Sequence, residues 1–294
     1  MPVYLLAIAL MLLMIYIRGK ELNLISLILS LTLLQSWFSS YSLSLNSPTW
    51  VISVLVFFYF TFPMILSTVK KYNLTAIKVL VFALSLWGVT QAILSSVLSS
   101  EMYKDFPIFF NYLINYFPLS HFCSFLLGVS GGMWFNASKY AIRNIYQSIA
   151  LAGSAAFLVV FIINNQFQIA NYLGFKFAFA SSFFAPLFLI FIISISMCQS
   201  KVAKILSAKP LVLLGEASYS LYVLQMPIYI IYRYFFAGSL ELSLVSDFYL
   251  YLVFLILISI FCLIAFERPT YKFIRFSLPK LAEDHLPIAF IRTK

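Results

Sequence analysis

The sequence predicts an all-α fold, a polytopic bundle of membrane helices, and two observations carry this prediction. First, 63% of the 294 residues are hydrophobic and only 10% are charged, whereas soluble domains are roughly half apolar and a quarter charged. Second, apolar runs long enough to cross a bilayer recur along the chain. These runs are continuous, whereas the strands of a membrane barrel alternate polar and apolar residues, so helices are expected.

The apolar segments define the expected helices. They are 3–17, 24–38, 49–69, 78–99, 117–137, 144–164, 174–198, 211–236 and 247–266. Segment 24–38 contains Ser, Thr and Gln and is shorter than the roughly 20 residues that a span needs. It is therefore either a short span or a re-entrant segment. We interpret residues 1–276 as one membrane domain and residues 277–294 as a basic cytoplasmic tail.

The distribution of charge indicates the orientation. The net charge is +10, and cations collect in the connections on one side, as is typical of cytoplasmic loops: Lys70, Lys71, Lys78, Lys139, Arg143, Lys201, Lys204, Lys209 and the tail. The connections 39–48, 100–116, 164–173 and 237–247 are uncharged or acidic. This alternation predicts a cytoplasmic C-terminus. No basic patch is long enough to favour nucleic acid, so we expect no nucleic-acid partner.

Metal sites and disulfide frameworks are not expected. The three cysteines, Cys123, Cys198 and Cys262, lie alone in or beside apolar runs, and the two histidines are His121 and His285. Neither set has the spacing of a metal site or of paired thiols. We therefore predict no bound metal.

A stripe of polar residues runs through segment 211–236. Residues three and four apart share a helix face, and this spacing joins Ser218, Tyr222, Gln225, Tyr229 and Tyr232. Such groups either bond to neighbouring helices or line an aqueous cavity. The proline at position 227 removes one backbone hydrogen bond and opens a carbonyl toward the stripe.

Four stretches of the sequence resemble those of the acyltransferase family 3 proteins, which are bacterial membrane O-acyltransferases of polysaccharides and other glycans. The stretch LGEASYSLYVLQMPI at 214–228, followed by FERPTYKFIR at 266–275, is similar to the C-terminal signature of the family. NSPTWVISVLVFFYFTFPMIL at 46–66 and YFPLSHFCSFLLGVSGGMWF at 116–135 resemble two internal segments. Pro2-Val3-Tyr4 resembles the opening of a family helix.

The resemblance implies transfer of an acyl group, by default acetyl, from acetyl-CoA or a similar acyl-CoA in the cytoplasm. The acceptor would be a hydroxyl of an exported glycan, and the location the bacterial cytoplasmic membrane. It also implies two helices before Pro2 that this sequence lacks, which favours eight full spans with 24–38 not crossing. The family histidine expected to act as acid and base belongs to that missing part, and a partner protein is an alternative source of it.

Further departures from the family pattern concern its acids and another histidine. Leu55 and Ser124 stand where the family has glutamates, and Gln225 stands where many members have histidine. The remaining candidate base is His121, since an imidazole titrates near neutral pH; the alternative is an interfacial histidine. Trp50 and Ser53 are expected to line the sugar site, unless Trp50 belongs to the aromatic belt.

Ser218, Tyr222, Gln225 and Tyr229 are the other candidate lining residues, and Glu216, Glu267 and Arg268 are donor-side or structural candidates. A glycan transporter or flippase is a less favoured function, because we find no internal repeats and almost no ionisable residue between the ends of the spans. A truncated, catalytically impaired relative, or a non-catalytic membrane partner, is the other alternative.

Overall fold

The regular structure of the chain is helical. The computed structural model describes residues 2–137, 145–179, 182–197, 201–236 and 243–277, and within these ranges it contains no strand. The α-helices are α1 (Pro2–Ile17), α2 (Leu24–Leu31), α3 (Trp50–Lys71), α4 (Ala76–Ser99), α5 (Glu101–Asp105), α6 (Pro107–Asn115), α7 (Phe122–Ala137), α8 (Ile145–Asn164), α9 (Gln166–Leu173), α10 (Ala185–Ser196), α11 (Lys201–Leu206), α12 (Lys209–Phe236), α13 (Leu244–Cys262) and α14 (Arg268–Lys272). The residues Cys198, Lys139, Arg143, His285 and the tail from 278 onward lie outside the described ranges.

Five stretches of helix are long and apolar enough to cross a membrane among the residues that the structure describes. They are Ser47–Lys71, Ala76–Ser99, Ile145–Asn164, Lys209–Phe236 and Leu244–Arg275. The pair Pro107–Asn115 and Pro118–Ala137 makes a sixth if its 42° bend lies within one span. Pro2–Ile17 and Ala185–Ser196 are shorter apolar helices. The all-helical architecture is thus confirmed, while the count of eight full spans stays a prediction.

Segment 24–38 breaks into two short pieces. Helix α2 has 8 residues and is therefore only about 12 Å long, less than half of the hydrocarbon thickness. It ends where Leu33 adopts a φ of +59° and where the Leu34 amide bonds to the Leu29 carbonyl. This is a Schellman-type helix end with leucine in the place that glycine usually takes. A 3₁₀ turn, Gln35–Trp37, follows.

Two expectations about the connections are wrong. In segment 174–198 the described helix begins at Ala185. Residues 175–179 alternate Phe with Lys or Ala, and hydropathy alone does not distinguish this pattern from a helical one. The connections 100–116 and 164–173, expected as loops, contain the short helices α5, α6 and α9.

The chain forms two compact units, which are described separately. The first comprises residues 1–24, 45–48 and 208–294. In it, α12 packs against α1 on one side and α13 on another. The buried face of α12 includes Ala217, Ser220, Leu224 and Ile228. Because α1 is apolar all round, it can bury one face in the unit and present the other to lipid.

Proline 227 interrupts the backbone ladder of α12, and a side chain from residues 45–48 makes good the loss. A proline has no amide hydrogen, so residue 227 cannot donate to the carbonyl four residues earlier, that of Val223. Asn46 Nδ2 donates to this carbonyl at 2.9 Å, and Asn46 is only 2% exposed. The carbonyl opened by the proline, which we expected on the polar stripe, is therefore used within the protein.

The second unit comprises residues 25–44 and 49–207. Helix α7 packs against α4 and α10, and α10 also packs against α8. The 3₁₀ turn docks on the start of α3, where Gln35 Nε2 donates to the Thr49 carbonyl at 3.0 Å and Ser36 Oγ to the Trp50 carbonyl at 2.7 Å. Tyr112 fixes the other side of the turn by donating to the Ser36 carbonyl at 2.9 Å. These bonds position the first turn of α3 beside the site described next.

Candidate active site

His121 lies in the second unit, at the end of a 3₁₀ turn, Pro118–His121, that leads directly into α7. Its Nε2 lies 3.0 Å from the backbone carbonyl oxygen of Asn115. Since a carbonyl can only accept, Nε2 carries the proton in this contact and Nδ1 is left as the acceptor of the neutral ring. The carbonyl thereby fixes the tautomer, as a carboxylate does in many catalytic sites.

Two serine hydroxyls form a chain of contacts that starts at Nδ1, the unprotonated nitrogen of His121. Ser182 Oγ lies 3.5 Å from Nδ1, and Ser124 Oγ donates a hydrogen bond to Ser182 Oγ. A separation of 3.5 Å is longer than the 2.6–3.2 Å of a working acid–base pair, although such contacts are often loose before substrate binds. Ser182 can also donate to the Ser120 carbonyl at 3.4 Å, so its hydroxyl proton has two alternative acceptors. A small movement of the hydroxyl toward Nδ1 directs the proton to His121.

The backbone of Ser182 is strained. Its φ is +56°, a left-handed conformation that costs a residue with a side chain about 1–2 kcal/mol. Trp87 Nε1 donates to the Ser182 carbonyl at 2.9 Å and holds this conformation. Strained backbone in a folded protein concentrates at functional sites, and here it lies on the residue that faces the free nitrogen of the histidine.

Aromatic rings frame the opposite side of the imidazole. The Trp50 ring lies 5.2 Å from the His121 ring and 5.3 Å from the Tyr116 ring, centroid to centroid. The structure thus brings Trp50 and His121 together. Ser53, one turn further along α3, is 1% exposed, and its hydroxyl oxygen has no hydrogen-bond partner among the described residues. Its expected contact with a sugar stays a prediction.

A cavity of about 320 Å³ opens from this cluster. Its polar end is formed by His121, Ser124 and Ser182, while the remaining wall is apolar and comes mainly from α7 and α10, with Gly128 and Phe188 as members. At Gly128 no atom lies within 4 Å of where a Cβ would stand, so the missing side chain contributes to the open volume. A narrow polar end on an apolar cavity is the usual form of a small-ligand site.

The first unit contains the other candidate residues of the C-terminal signature. Arg268 Nη2 pairs with Glu216 Oε2 at 2.7 Å, and Ser220 Oγ donates to Glu267 Oε1 at 2.8 Å. Both contacts link α12 to the chain just after α13, at Glu267 and at the start of α14. Because α12 starts at Lys209, Glu216 lies about two turns into the helix, beyond the reach of the helix dipole. These contacts give the three residues a structural role, and a donor-side role stays a prediction.

Polar residues of the α12 stripe make contacts within their own helix or with Tyr251. Ser218 is exposed, and its hydroxyl donates to the Gly215 carbonyl of its own helix at 2.7 Å. Tyr229 is 44% exposed and its ring lies 5.5 Å from the Tyr251 ring. Tyr222 and Gln225 are partly buried, and the Gln225 backbone carbonyl accepts from Tyr251 at 2.8 Å. A lining role for these four residues stays a prediction.

Comparison with known proteins decides the family. The model described as "Acyltransferase domain" matches residues 1–267 of the chain. The chain belongs to the acyltransferase family 3. This confirms the resemblance found in the four sequence stretches, and with the apolar helices it identifies the chain as an integral membrane acyltransferase. No curated protein and no solved structure matches it.

Two residues of this candidate site differ in how far the sequence could indicate them. His121 was found because few side chains can serve as a base at neutral pH. Ser182 was missed, although one signal was present: two adjacent serines interrupt an aromatic-rich stretch just before the start of a helix. No cluster of three metal-ligating side chains occurs among the described residues, and the absence of a metal stays a prediction.

Proposed function

We propose that this acyltransferase moves an acyl group, acetyl by family resemblance, from an acyl-CoA to a hydroxyl of an exported glycan. The observation that carries the proposal is the relay of Ser124, Ser182 and His121 at the polar end of the cavity. Acyl transfer needs a base near a hydroxyl, either on the acceptor or on a residue that carries the acyl group. Ser182 is the hydroxyl nearest to the acceptor nitrogen of His121.

The first step would load Ser182. Because the proposed orientation places this serine on the outer side, we propose that the acyl-CoA binds from the cytoplasm and extends its thioester to Ser182 through the helix bundle. His121 Nδ1 takes the proton of Ser182 while Ser182 Oγ attacks the thioester carbonyl carbon. The carbon–sulfur bond then breaks, and the CoA thiolate leaves with the proton from His121. The Ser124 hydroxyl, which donates to Ser182 Oγ, eases this step because it stabilises negative charge as it develops on that oxygen. The acyl chain would lie along the apolar wall of the cavity.

The second step would release the acyl group to the glycan. The acceptor hydroxyl gives its proton to His121 Nδ1 and attacks the ester carbon. Ser182 Oγ leaves and takes the same proton back, so the enzyme returns to its starting state. The Asn115 carbonyl keeps Nε2 protonated throughout, and therefore the same ring nitrogen serves in both steps.

The direct test is acyl labelling of the purified chain by isotopically labelled acetyl-CoA, which requires no glycan acceptor. The chain should take up label on Ser182, located by peptide mass spectrometry. Ser182→Ala should abolish the labelling. His121→Gln should slow it at least 100-fold, because glutamine can still donate to the Asn115 carbonyl but cannot take a proton. Ser154→Ala, at an exposed serine bonded to its own helix, is the matched control.

Two results would contradict the proposal. If Ser182→Ala is labelled as fast as the unmodified chain, the acyl group is not carried by this serine. If labelled acetyl-CoA, and longer acyl-CoA donors after it, transfer nothing to the chain, to water or to glycan in membranes, the alternative of a catalytically impaired relative or non-catalytic partner is favoured.

We further propose that the chain lies in the bacterial cytoplasmic membrane with eight full spans, a short 24–38 segment and a cytoplasmic C-terminus. The loop charges support this orientation. Reporter fusions that fluoresce only in the cytoplasm or are active only outside it test it: a fusion after Lys294 should fluoresce, and one after Asp105 should be active outside. The opposite pattern would reverse the assignment.

A further inference from the structure

A second cavity in the same unit, of about 530 Å³, has a different chemical character. It is formed by the end of α4, by α5 and α9, and by the chain that follows α9. Its size is within the range of about 300–1,000 Å³ that is typical of small-molecule sites. Its lining combines lysines, amides and aromatic rings, whereas the lining of the cavity at His121 is apolar beyond its polar end.

Two lysines, Lys104 and Lys176, line this second cavity, and no acidic residue does. Lys104 is paired with Glu101 at 2.8 Å. Lys176 makes no ion pair among the described residues, and its side chain is exposed. In the proposed orientation, the connections that carry Lys104 and Lys176 lie outside the cytoplasm. Cations concentrate in cytoplasmic loops, so membrane topology gives no reason for a lysine here. An unpaired lysine in a cavity without acids attracts anions.

The remaining lining suits a sugar ring. Gln166 and Asn171 carry amide groups for which the described residues provide no hydrogen-bond partner, and both line the cavity. An amide both donates and accepts, as a sugar hydroxyl does. Phe175 lines the same cavity and is 42% exposed, so its ring offers an apolar face to the carbon–hydrogen face of a sugar.

The second cavity adjoins the site at Ser182. Phe179 lines both cavities. The Phe177 ring connects Phe175 to Phe179, with centroid distances of 4.6 and 5.5 Å. A chain molecule bound in the second cavity could therefore extend past Phe179 toward the Ser182 hydroxyl. A polymer with repeated sugar units fits such an arrangement better than a small isolated ligand.

We propose that the second cavity binds an anionic sugar unit of the acceptor glycan, a uronate-type residue that Lys176 recognises by its carboxylate. The proposal rests on the proposed function, because it takes the glycan to be the acceptor. Hydrogen bonds to a charged group contribute about 1.5–3 kcal/mol, so loss of the lysine charge should weaken binding about tenfold or more.

The test measures binding without an acyl donor, on the full chain in lipid nanodiscs, by calorimetry. The probes are a tetrasaccharide of alternating glucuronate and N-acetylglucosamine, and the neutral tetrasaccharide of N-acetylglucosamine. The acidic probe should bind more tightly, and more weakly as salt rises. Lys176→Gln should lower its affinity about tenfold and leave the neutral probe unchanged. Lys78→Gln, at an exposed lysine in α4, is the matched control.

The outcomes separate this site from the proposed function. Equal affinity for the two probes, no measurable binding of the acidic probe, or an equal loss in Lys176→Gln and Lys78→Gln would each overturn the proposal. Acyl labelling of Ser182 would then still stand. Conversely, selective binding of the acidic probe by a chain that transfers no acyl group would support this site and refute the catalytic proposal.

Discussion

The contact between Asn46 and the interrupted helix α12 allows an energetic test of how this fold accommodates Pro227. Asn46 and Val223 are 2% and 0% exposed, and the amide donates to the Val223 carbonyl at 2.9 Å. Asn46→Ala should leave this carbonyl buried without a donor, which costs about 1–3 kcal/mol. In a Pro227→Ala background, the new amide at position 227 can donate to the same carbonyl. There the Asn46→Ala loss should be smaller by about 1 kcal/mol or more.

The assay is a double-mutant cycle on the free energy of unfolding, measured by detergent titration in mixed micelles. The cavity left by the shorter side chain, and the other contacts of Asn46, are common to both backgrounds and cancel in the difference. Asn165→Ala is the control, because Asn165 directly follows α8, its side chain donates to the Phe161 carbonyl of that helix, and it should show no coupling to Pro227. An equal loss on Asn46→Ala in both backgrounds would refute the idea that this side chain replaces the missing backbone donor.

Three other substitutions test the second unit. Gly128→Ala should stabilise the chain by about 0.5–1 kcal/mol in the same titration, since nothing lies near its Cβ position. Gly131→Ala should stabilise it less, because its Cβ would overlap Leu189 and force a rotamer change that costs about 0.5–1.5 kcal/mol. Equal stabilisation by the two substitutions would contradict this packing. Trp87→Phe should slow labelling of Ser182 about tenfold, because it removes the hydrogen bond to the Ser182 carbonyl, which is worth about 1–3 kcal/mol. The α-helical content, measured by circular dichroism, is the control. An unchanged rate would show that this bond does not position the serine.

The helices could be predicted where composition alone decides them. Lipid forces every backbone group to pair within its own segment, so a long apolar run has essentially one regular structure to adopt. This reasoning succeeded for α3, α4, α8 and α12, whose bounds lie close to those expected. It failed for residues 174–179 and 182–184, where phenylalanines raise the hydropathy of chain that is not helical. Hydropathy measures transfer into an apolar environment and contains no information on backbone conformation.

The candidate site could be predicted only in part, for a related reason. A histidine is recognisable by type, and Trp50 by its place at the start of a helix. Ser182 is one of many serines in the chain, and its importance depends on two facts that sequence spacing does not encode: its φ of +56° and its position 3.5 Å from His121 Nδ1. Both depend on contacts between residues far apart in sequence, such as the bond from Trp87.

The cluster around His121 also shows how the site can be built from neutral groups, including Ser124, where the family resemblance led us to expect a glutamate. A carboxylate in an apolar bundle costs several kcal/mol unless a partner charge compensates it. In this chain the tautomer of the histidine is fixed by a neutral backbone carbonyl, and Ser124 supplies a neutral donor to Ser182. The resting site therefore needs no buried ion. In the proposed transfer the corresponding cost falls on catalysis: among the described residues no carboxylate contacts the His121 ring to stabilise its imidazolium form, so we expect a slow reaction.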